Sequence, residues 1–336
     1  MKGSNFSNAE SAWIASLRQI IEDGKKVETR GLYTYEISPF YITVTNPQKR
    51  LFLNPVRKIN LAFAISEFLW IFNGHDRVDR ISWCNTSIKK YSDDGVTFHG
   101  AYGKRLRKHR DQFSLLLSKF KKDIGTRQAV MTIFDPDLDF SPSKDIPCTI
   151  NLHLMARENV LNCIAYMRSN DLYRGAPYDI FNFTMLQEIF SQILNLGVGE
   201  YQHIVGSMHL YENDLFSVKR VLAGCHQNNE NIPYDDTFIL PKSDNTMNDV
   251  LSVDEIVDCI ISNKYTYGNK VNDLITKLDK STELTHKLSS VLVFYYLLYS
   301  RDVPLLKKLL ATLLERKSSN FAYLNEVFHR RFIYEQ

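Results

Sequence analysis

Three short blocks of this 336-residue chain carry side chains able to do covalent chemistry. They read Ile146-Pro147-Cys148-Thr149, then Arg168-Ser169-Asn170-Asp171-Leu172-Tyr173-Arg174-Gly175-Ala176-Pro177-Tyr178-Asp179, then Gly206-Ser207-Met208-His209-Leu210-Tyr211. An ionised thiol is the strongest common protein nucleophile. Arg168 offers a planar fork of donors matched to phosphate, and Ser169 adds a hydroxyl. An arginine near Cys148 would also ease its ionisation. His209 and Tyr211 stand two apart, so a strand turns both to one face. Taken singly, each residue admits a plain structural role. Cys148 is one small apolar residue among five cysteines, Asp179 suits the cap of a helix over Ile180–Leu196, and His209 suits a satisfied structural position.

A fourth candidate is Glu67, inside the apolar run Ala62-Phe63-Ala64-Ile65-Ser66-Glu67-Phe68-Leu69-Trp70. A carboxylate there needs a partner or a task, unless it faces solvent. The elements that must position these groups follow from periodicity. Helices are expected near Glu10–Asp23, Leu61–Phe72, Gln112–Phe120 and Phe183–Leu196. Strands are expected within Tyr33–Val44, and at Ala129–Phe134, Thr149–Met155, Val160–Met167 and Tyr201–Leu210. That mixture predicts an α+β catalytic domain over residues 1–225. Gln227–Asn248, rich in Asn, Asp, Pro and Ser, reads as loop within a linker over 226–249. Residues 250–336 read as almost wholly helical, with Leu288–Tyr299 and Pro304–Glu315 the clearest helices.

Composition narrows the class. With 41 Lys+Arg against 38 Asp+Glu, formal net charge is +3, which leaves no nucleic-acid footprint. No apolar run approaches about 20 residues, so no membrane span is expected. The start, Met1-Lys2-Gly3-Ser4-Asn5, has no hydrophobic leader. The cysteines (Cys84, Cys148, Cys163, Cys225, Cys259) form no CxxC pair and read as reduced thiols of a cytoplasmic protein. The histidines are dispersed and no zinc spacing occurs, so no metal is expected. Neither GxGxxG nor a P-loop is present.

In order and spacing, the three blocks resemble the catalytic core of the thymidylate synthase superfamily, over about Arg30 to Leu215. The resemblance implies that Cys148 adds to pyrimidine C6 and so makes C5 a carbon nucleophile. It implies a nucleotide 5′-phosphate held by Arg30, Arg168 and Ser169 of one subunit and Arg127 of its partner, hence a homodimer. Most thymidylate synthases carry Arg-Arg where Arg127-Gln128 stands. His209 and Tyr211 match the pair that binds the sugar 3′-hydroxyl, and Glu67 matches a carboxylate in a proton-moving water network. Tyr102 matches a tyrosine near the nucleophile. Asp171, with Tyr91 and Gly175, matches the region facing 5,10-methylenetetrahydrofolate, the co-substrate, with Tyr91 in place of a tryptophan.

The main departure is Asp179, where thymidylate synthases have Asn. Asp at this position resembles the cytidylate hydroxymethylase branch. A protonated carboxyl donates to cytosine N3 and accepts from the 4-amino group, and a dry pocket would supply the raised pKa this needs. The expected reaction is addition of a hydroxymethyl group to C5 of cytidine 5′-monophosphate (CMP), or of its deoxy counterpart dCMP, water being the last reactant. The short apolar closing tail of thymidylate synthases is not apparent, which favours water over hydride at that step. Length, the Thr29-Arg30-Gly31 start and the helical extension look more like the ribonucleotide hydroxymethylases of nucleoside-antibiotic pathways than the shorter deoxycytidylate enzymes of phages. The competing readings are methylation of uridylate or deoxyuridylate, and a catalytically silent nucleotide-binding relative.

Overall fold

The computed structural model describes residues 4–54, 56–57, 59–224, 238–262, 276, 278, 280–329 and 331. Its centre is one eight-stranded mixed sheet. The strands are β1 (Ser4–Phe6), β2 (Lys25–Thr29), β3 (Leu32–Ile37), β4 (Phe40–Val44), β5 (Val130–Thr132), β6 (Thr149–Arg157), β7 (Val160–Asp171) and β8 (Gly197–Tyr211). They run in the order β1-β4-β8-β7-β6-β5, and β2 joins through β3, which also pairs with β8. Long β8 thus serves two partners on one edge: β4 along Tyr201–Val205 and β3 along Met208–Tyr211. On its other edge it runs parallel to β7, with Ser169 opposite Ser207 and Asp171 opposite His209.

β6 and β7 form a hairpin closed by Glu158 (φ 50) and Asn159 (φ 61). Two consecutive left-handed residues make the turn whose twist matches antiparallel strands, and Asn tolerates that conformation well. The ladder skips one residue between Thr149 and Asn151. This bulge lies immediately after Cys148, where it turns the strand start away from the regular pleat.

The helix Leu61–Phe72 is started by Asn60, whose side chain accepts from Phe63 N at 3.1 Å. Every residue of it except Glu67 is buried. The reason is two-sided cover: it packs on the helix Ala176–Ile193 and also on Glu283–Ser300 from the C-terminal region. Ala176–Ile193 in turn lies against β7 and β8. Removing Phe68 and Phe72 from water contributes roughly 1.5–3 kcal/mol each, and both are fully buried.

The architecture is α+β, and the expected helices and strands occur, with three differences. The helix expected over Phe183–Leu196 starts at Ala176 and ends at Ile193. Pro177 supports that early start, because its fixed φ suits a first helical turn. Asp179 is therefore inside the first turn, its N–H bonded to Gly175 O at 3.1 Å. Gly175, not Asp179, holds the cap position. Third, Thr246–Ser252 is helical, so the end of the stretch read as loop is not loop; its residues 227–237 lie outside the described residues, as does Cys225. The C-terminal region supplies further helices at Asp254–Ser262, Val303–Glu315 and Phe321–His329.

Candidate active site

The three blocks meet where β7 and β8 end. Cys148 stands at the entry to β6, and its carbonyl accepts from Arg168 N at 2.9 Å. The Arg168 guanidinium donates from Nε to Pro147 O and from Nη2 to Ile146 O, each at 2.9 Å. Arg168 therefore braces the backbone of the thiol-bearing turn while its charge acts on the sulfur. Burial pushes the Cys148 thiol up; Arg168 pulls it back, and Asp179, Asp145 and Asp171 oppose ionisation. Tyr102 Oη accepts from Thr149 N at 3.3 Å and from Thr149 Oγ1 at 3.1 Å, placing the phenol beside Cys148. Its ring stacks on Phe183, with centroids 6.4 Å apart.

A cavity of about 220 Å³ is lined by Glu67, Tyr91, Gly100, Tyr102, Asp145, Asp179 and Asn182, with an apolar wall that includes Trp70, Ile81, Ile88 and Phe98. Glu67 faces this cavity, not solvent. Its Oε2 accepts from Asn182 Nδ2 at 2.6 Å. Burial, with the charge of Asp179 adding to it, pushes its carboxyl up to about 8 against the opposing Asn182 bond. Asp179 Oδ2 accepts from Asn170 Nδ2 at 2.6 Å. Burial pushes Asp179 up to about 7; Asn170 opposes this and Asp171 adds to it. Three carboxyls, Glu67, Asp145 and Asp179, share the cavity, and the charge of Asp179 raises the cost of ionising Glu67.

Gly175 stands beside this arrangement: a Cβ there would make ordinary contacts with Asp179 Oδ2 at 3.5 Å and Asp171 O at 3.4 Å. Asp171 folds the turn after β7: its Oδ1 accepts from Tyr173 N at 3.0 Å and from Arg174 N at 2.9 Å. Across the β7–β8 step, Ser169 Oγ and His209 Nδ1 are 3.2 Å apart. The His209 and Tyr211 rings meet edge to face at 5.3 Å, on one side of β8 as the strand period requires.

Arg30 and Arg127 do not line the cavity. Arg30 is exposed on the left-handed turn between β2 and β3 (φ 53), at the sheet end that carries Tyr211. Arg127 is exposed beside β5, at the opposite edge of the sheet, its carbonyl 3.1 Å from His153 Nε2. Gln128, standing where a second arginine is usual, accepts from Lys119 Nζ at 2.9 Å. Tyr91 lines the cavity and is 45% exposed. Trp83 does not line it; its ring packs edge-on against Tyr299 of the C-terminal region.

Three supporting residues escaped the motif reading: Asn170, Asn182 and Asp145. Asn182 lies three residues after Asp179, hence on the same helical face, and that spacing was a usable signal. Asn170 is a buried polar residue next to Asp171, and nothing local separates it from a surface asparagine.

Residues 11–250 match the family model described as Thymidylate synthase. Three known relatives are each named deoxyuridylate hydroxymethyltransferase. The one from Bacillus phage SP01 is 34% identical over 213 residues, covering 59% of this chain and 56% of that protein. The one from Pseudomonas phage M6 is 29% identical over 227 residues, covering 65% of this chain and 64% of that protein. The one from Delftia phage PhiW-14 is 31% identical over 182 residues, covering 50% of this chain and 51% of that protein. The chain thus spans between about half and two thirds of each relative's length.

Proposed function

Because the chain belongs to the thymidylate synthase family, we propose that it transfers a hydroxymethyl group to C5 of a pyrimidine nucleoside 5′-monophosphate, with cytidine 5′-monophosphate the preferred substrate. The observation that carries this reading is the Asp179 carboxyl, held in a largely apolar cavity and pushed up to about 7. A neutral carboxyl there donates through one oxygen to cytosine N3 and accepts through the other from the 4-amino group. An ionised Asp179 set against the uracil 4-carbonyl would leave that oxygen unpaired, and a mismatch of this kind is worth about 10⁴ in favourable sites.

In this reading Cys148 adds to C6, eased by Arg168, and C5 becomes nucleophilic. Methylenetetrahydrofolate, the co-substrate of this family, supplies one carbon at the oxidation level of formaldehyde. A cavity that joins the apolar side chains of Trp70, Ile81, Ile88 and Phe98 to the carboxyls of Glu67, Asp145 and Asp179 suits a flat heteroaromatic ring. Glu67, held by Asn182, moves protons to and from the pyrimidine. Ser169 and Arg168 face the phosphate, with Arg30 and a partner subunit's arginine completing the grip. His209 and Tyr211 hold the sugar. Tyr91, Asp171 and Gly175 border the folate side.

A second reading is deoxyuridylate as substrate. The names of the three phage relatives favour it. The chemistry permits it too, since a neutral carboxyl turned end for end accepts from uracil N3–H and donates to the 4-carbonyl. One experiment separates these readings. The protein is incubated with methylenetetrahydrofolate and each of CMP, dCMP, UMP and dUMP, and products are weighed by mass spectrometry. A hydroxymethylated cytidylate supports the first reading and hydroxymethylated deoxyuridylate the second. A methylated base would sink both.

A further inference from the structure

Asp145 shares the cavity with Glu67 and Asp179, yet none of the steps above uses it. It sits three residues before Cys148, in a segment tied down at several points. Its N–H bonds Ser143 Oγ at 3.0 Å, and Ser143 Oγ donates to Asp93 Oδ2 at 2.6 Å. Asp145 Oδ2 accepts from Gly100 N at 2.8 Å. The two stretches of chain approach so closely that a Cβ on Gly100 would lie 2.5 Å from Asp145 O and 2.8 Å from Pro147 Cδ. Gly100 is thus needed to bring a donor to this carboxyl. Among the described residues no hydrogen bond engages Oδ1, and the charge of Asp145 reaches Cys148 Sγ.

The order of atoms in a pyrimidine ring then decides what Asp145 faces. With C6 at Cys148 and the N3–C4 edge at Asp179, C5 falls between them, toward the shared cavity that Asp145 walls. The three carboxyls differ in their surroundings. Glu67 and Asp179 are each held by one amide side chain, and the charge of Asp179 opposes ionisation of Glu67. Burial raises the Asp145 carboxyl above its ordinary range and Asp93 adds to this, while the Gly100 N–H, His99 and Arg105 favour its anion. It is the carboxyl best placed to accept a proton.

We infer that Asp145 is the general base that takes a proton from the water adding to the one-carbon unit on C5. The inference rests on the hydroxymethyltransferase reading. The acceptor is the exocyclic methylene carried by C5 while C6 remains bonded to Cys148. The water oxygen bonds to the methylene carbon, and one water proton passes to Asp145. The electron pair of the exocyclic double bond moves into the ring at C5 and toward the substituent at C4. Its return restores C5=C6 and expels the Cys148 thiolate. Nothing is oxidised or reduced in this step. Asp145 then returns its proton to solvent.

Run backwards, the step needs no folate. Given a 5-hydroxymethyl pyrimidine monophosphate alone in H₂¹⁸O, the wild-type protein should exchange the hydroxymethyl oxygen for ¹⁸O, read by mass spectrometry. Asp145→Asn keeps an oxygen for Gly100 N and should slow exchange by about a hundredfold, the scale of a lost general base. With methylenetetrahydrofolate and 5-tritiated nucleotide, that variant should still release tritium, because C5 activation precedes water addition. Added 2-mercaptoethanol, already a strong nucleophile, should then be captured as a 5-thioether product. Asp145→Ala should regain exchange when formate is supplied, which guards against a merely misfolded variant. Exchange in Asp145→Asn at the wild-type rate, or no recovery of Asp145→Ala with formate, overturns the role of Asp145 and leaves the hydroxymethyltransferase reading standing. Wild type that releases no tritium from any of the four nucleotides overturns both.

Discussion

Replacing Asp179 with asparagine should stabilise the protein at alkaline pH and do little in mild acid. Burial raises the Asp179 carboxyl from its ordinary 3.8 to about 7. At 1.36 kcal/mol per pH unit, ionising it in the folded state costs roughly 4 kcal/mol more than in the unfolded chain. Part of its surface stays open to the cavity, and water there reduces the figure to roughly 2–4 kcal/mol. The sign follows from proton linkage. Below the unfolded value both states are protonated and the group is neutral in the balance. Between the two values the unfolded state ionises first, so stability falls as pH rises. Above about 7 the full penalty applies. The substituted amide would carry no charge, and Glu67, whose carboxyl Asp179 also pushes up, would ionise more easily. Chemical denaturation of both proteins at pH 4.5, 6 and 8 checks this, with an unchanged denaturant slope required for the comparison. The variant's midpoint should gain on wild type as pH rises. A difference between variant and wild type that is the same at pH 4.5 and 8 would refute the argument that Asp179 is held neutral by burial.

Other outcomes test the remaining parts of the site. Cys148→Ser should cut tritium release from 5-tritiated nucleotide by roughly a thousandfold or more while nucleotide binding, followed by calorimetry, persists. Asn182→Ala removes the bond that favours ionised Glu67; the carboxyl should rise above its present value, and the corresponding limb of the pH–rate profile should move to higher pH. Arg168→Lys loses the planar fork that holds Ile146 O and Pro147 O together, so iodoacetamide should alkylate Cys148 roughly threefold to tenfold more slowly. Arg127→Ala mixed with Cys148→Ser should recover activity that neither shows alone if Arg127 serves a partner's site, and a mixture as inactive as its components would count against sharing.

How much of this could be read from the chain depends on the range of the forces involved. The Cys148 turn, the β6–β7 hairpin and the helix Leu61–Phe72 are local in origin: a Pro-Cys step, alternating apolar strands, an Asn cap before an apolar run. Their identification needed only period and turn chemistry. The supports of the site are not local. Asn170 matters because a helix starting at Ala176 brings Asp179 back over it, and Asp145 matters because Gly100, far upstream, closes on it. Trp83 is close to Tyr91 in sequence, yet only Tyr91 reaches the cavity, because Tyr299 from the far end of the chain meets the Trp83 ring.

Glu67 shows how a local pattern and a long-range contact decide a question together. Locally, a helix with Ser66 and Glu67 as its only polar residues leaves open whether they mark a solvent face. A solvent-facing helix, however, keeps a polar stripe at the 3.6-residue period, and two adjacent positions cannot make one. An all-round apolar helix requires cover on both sides, which Ala176–Ile193 and Glu283–Ser300 supply. With no water-facing side left, the Glu67 carboxyl must either be neutralised or open into a cavity. It does both, pushed up to about 8 and reaching Asn182 beside Asp179. In the proposed reaction the helical C-terminal region would act at a distance: by covering the outer face of Leu61–Phe72 it keeps water from Glu67, whose carboxyl is pushed up to about 8. Substituting a charged residue for Leu292, fully buried in Glu283–Ser300, should wet that face and return the Glu67 titration toward ordinary carboxylate values. A pH–rate profile unchanged by such a substitution in a folded variant would separate the extension from the chemistry.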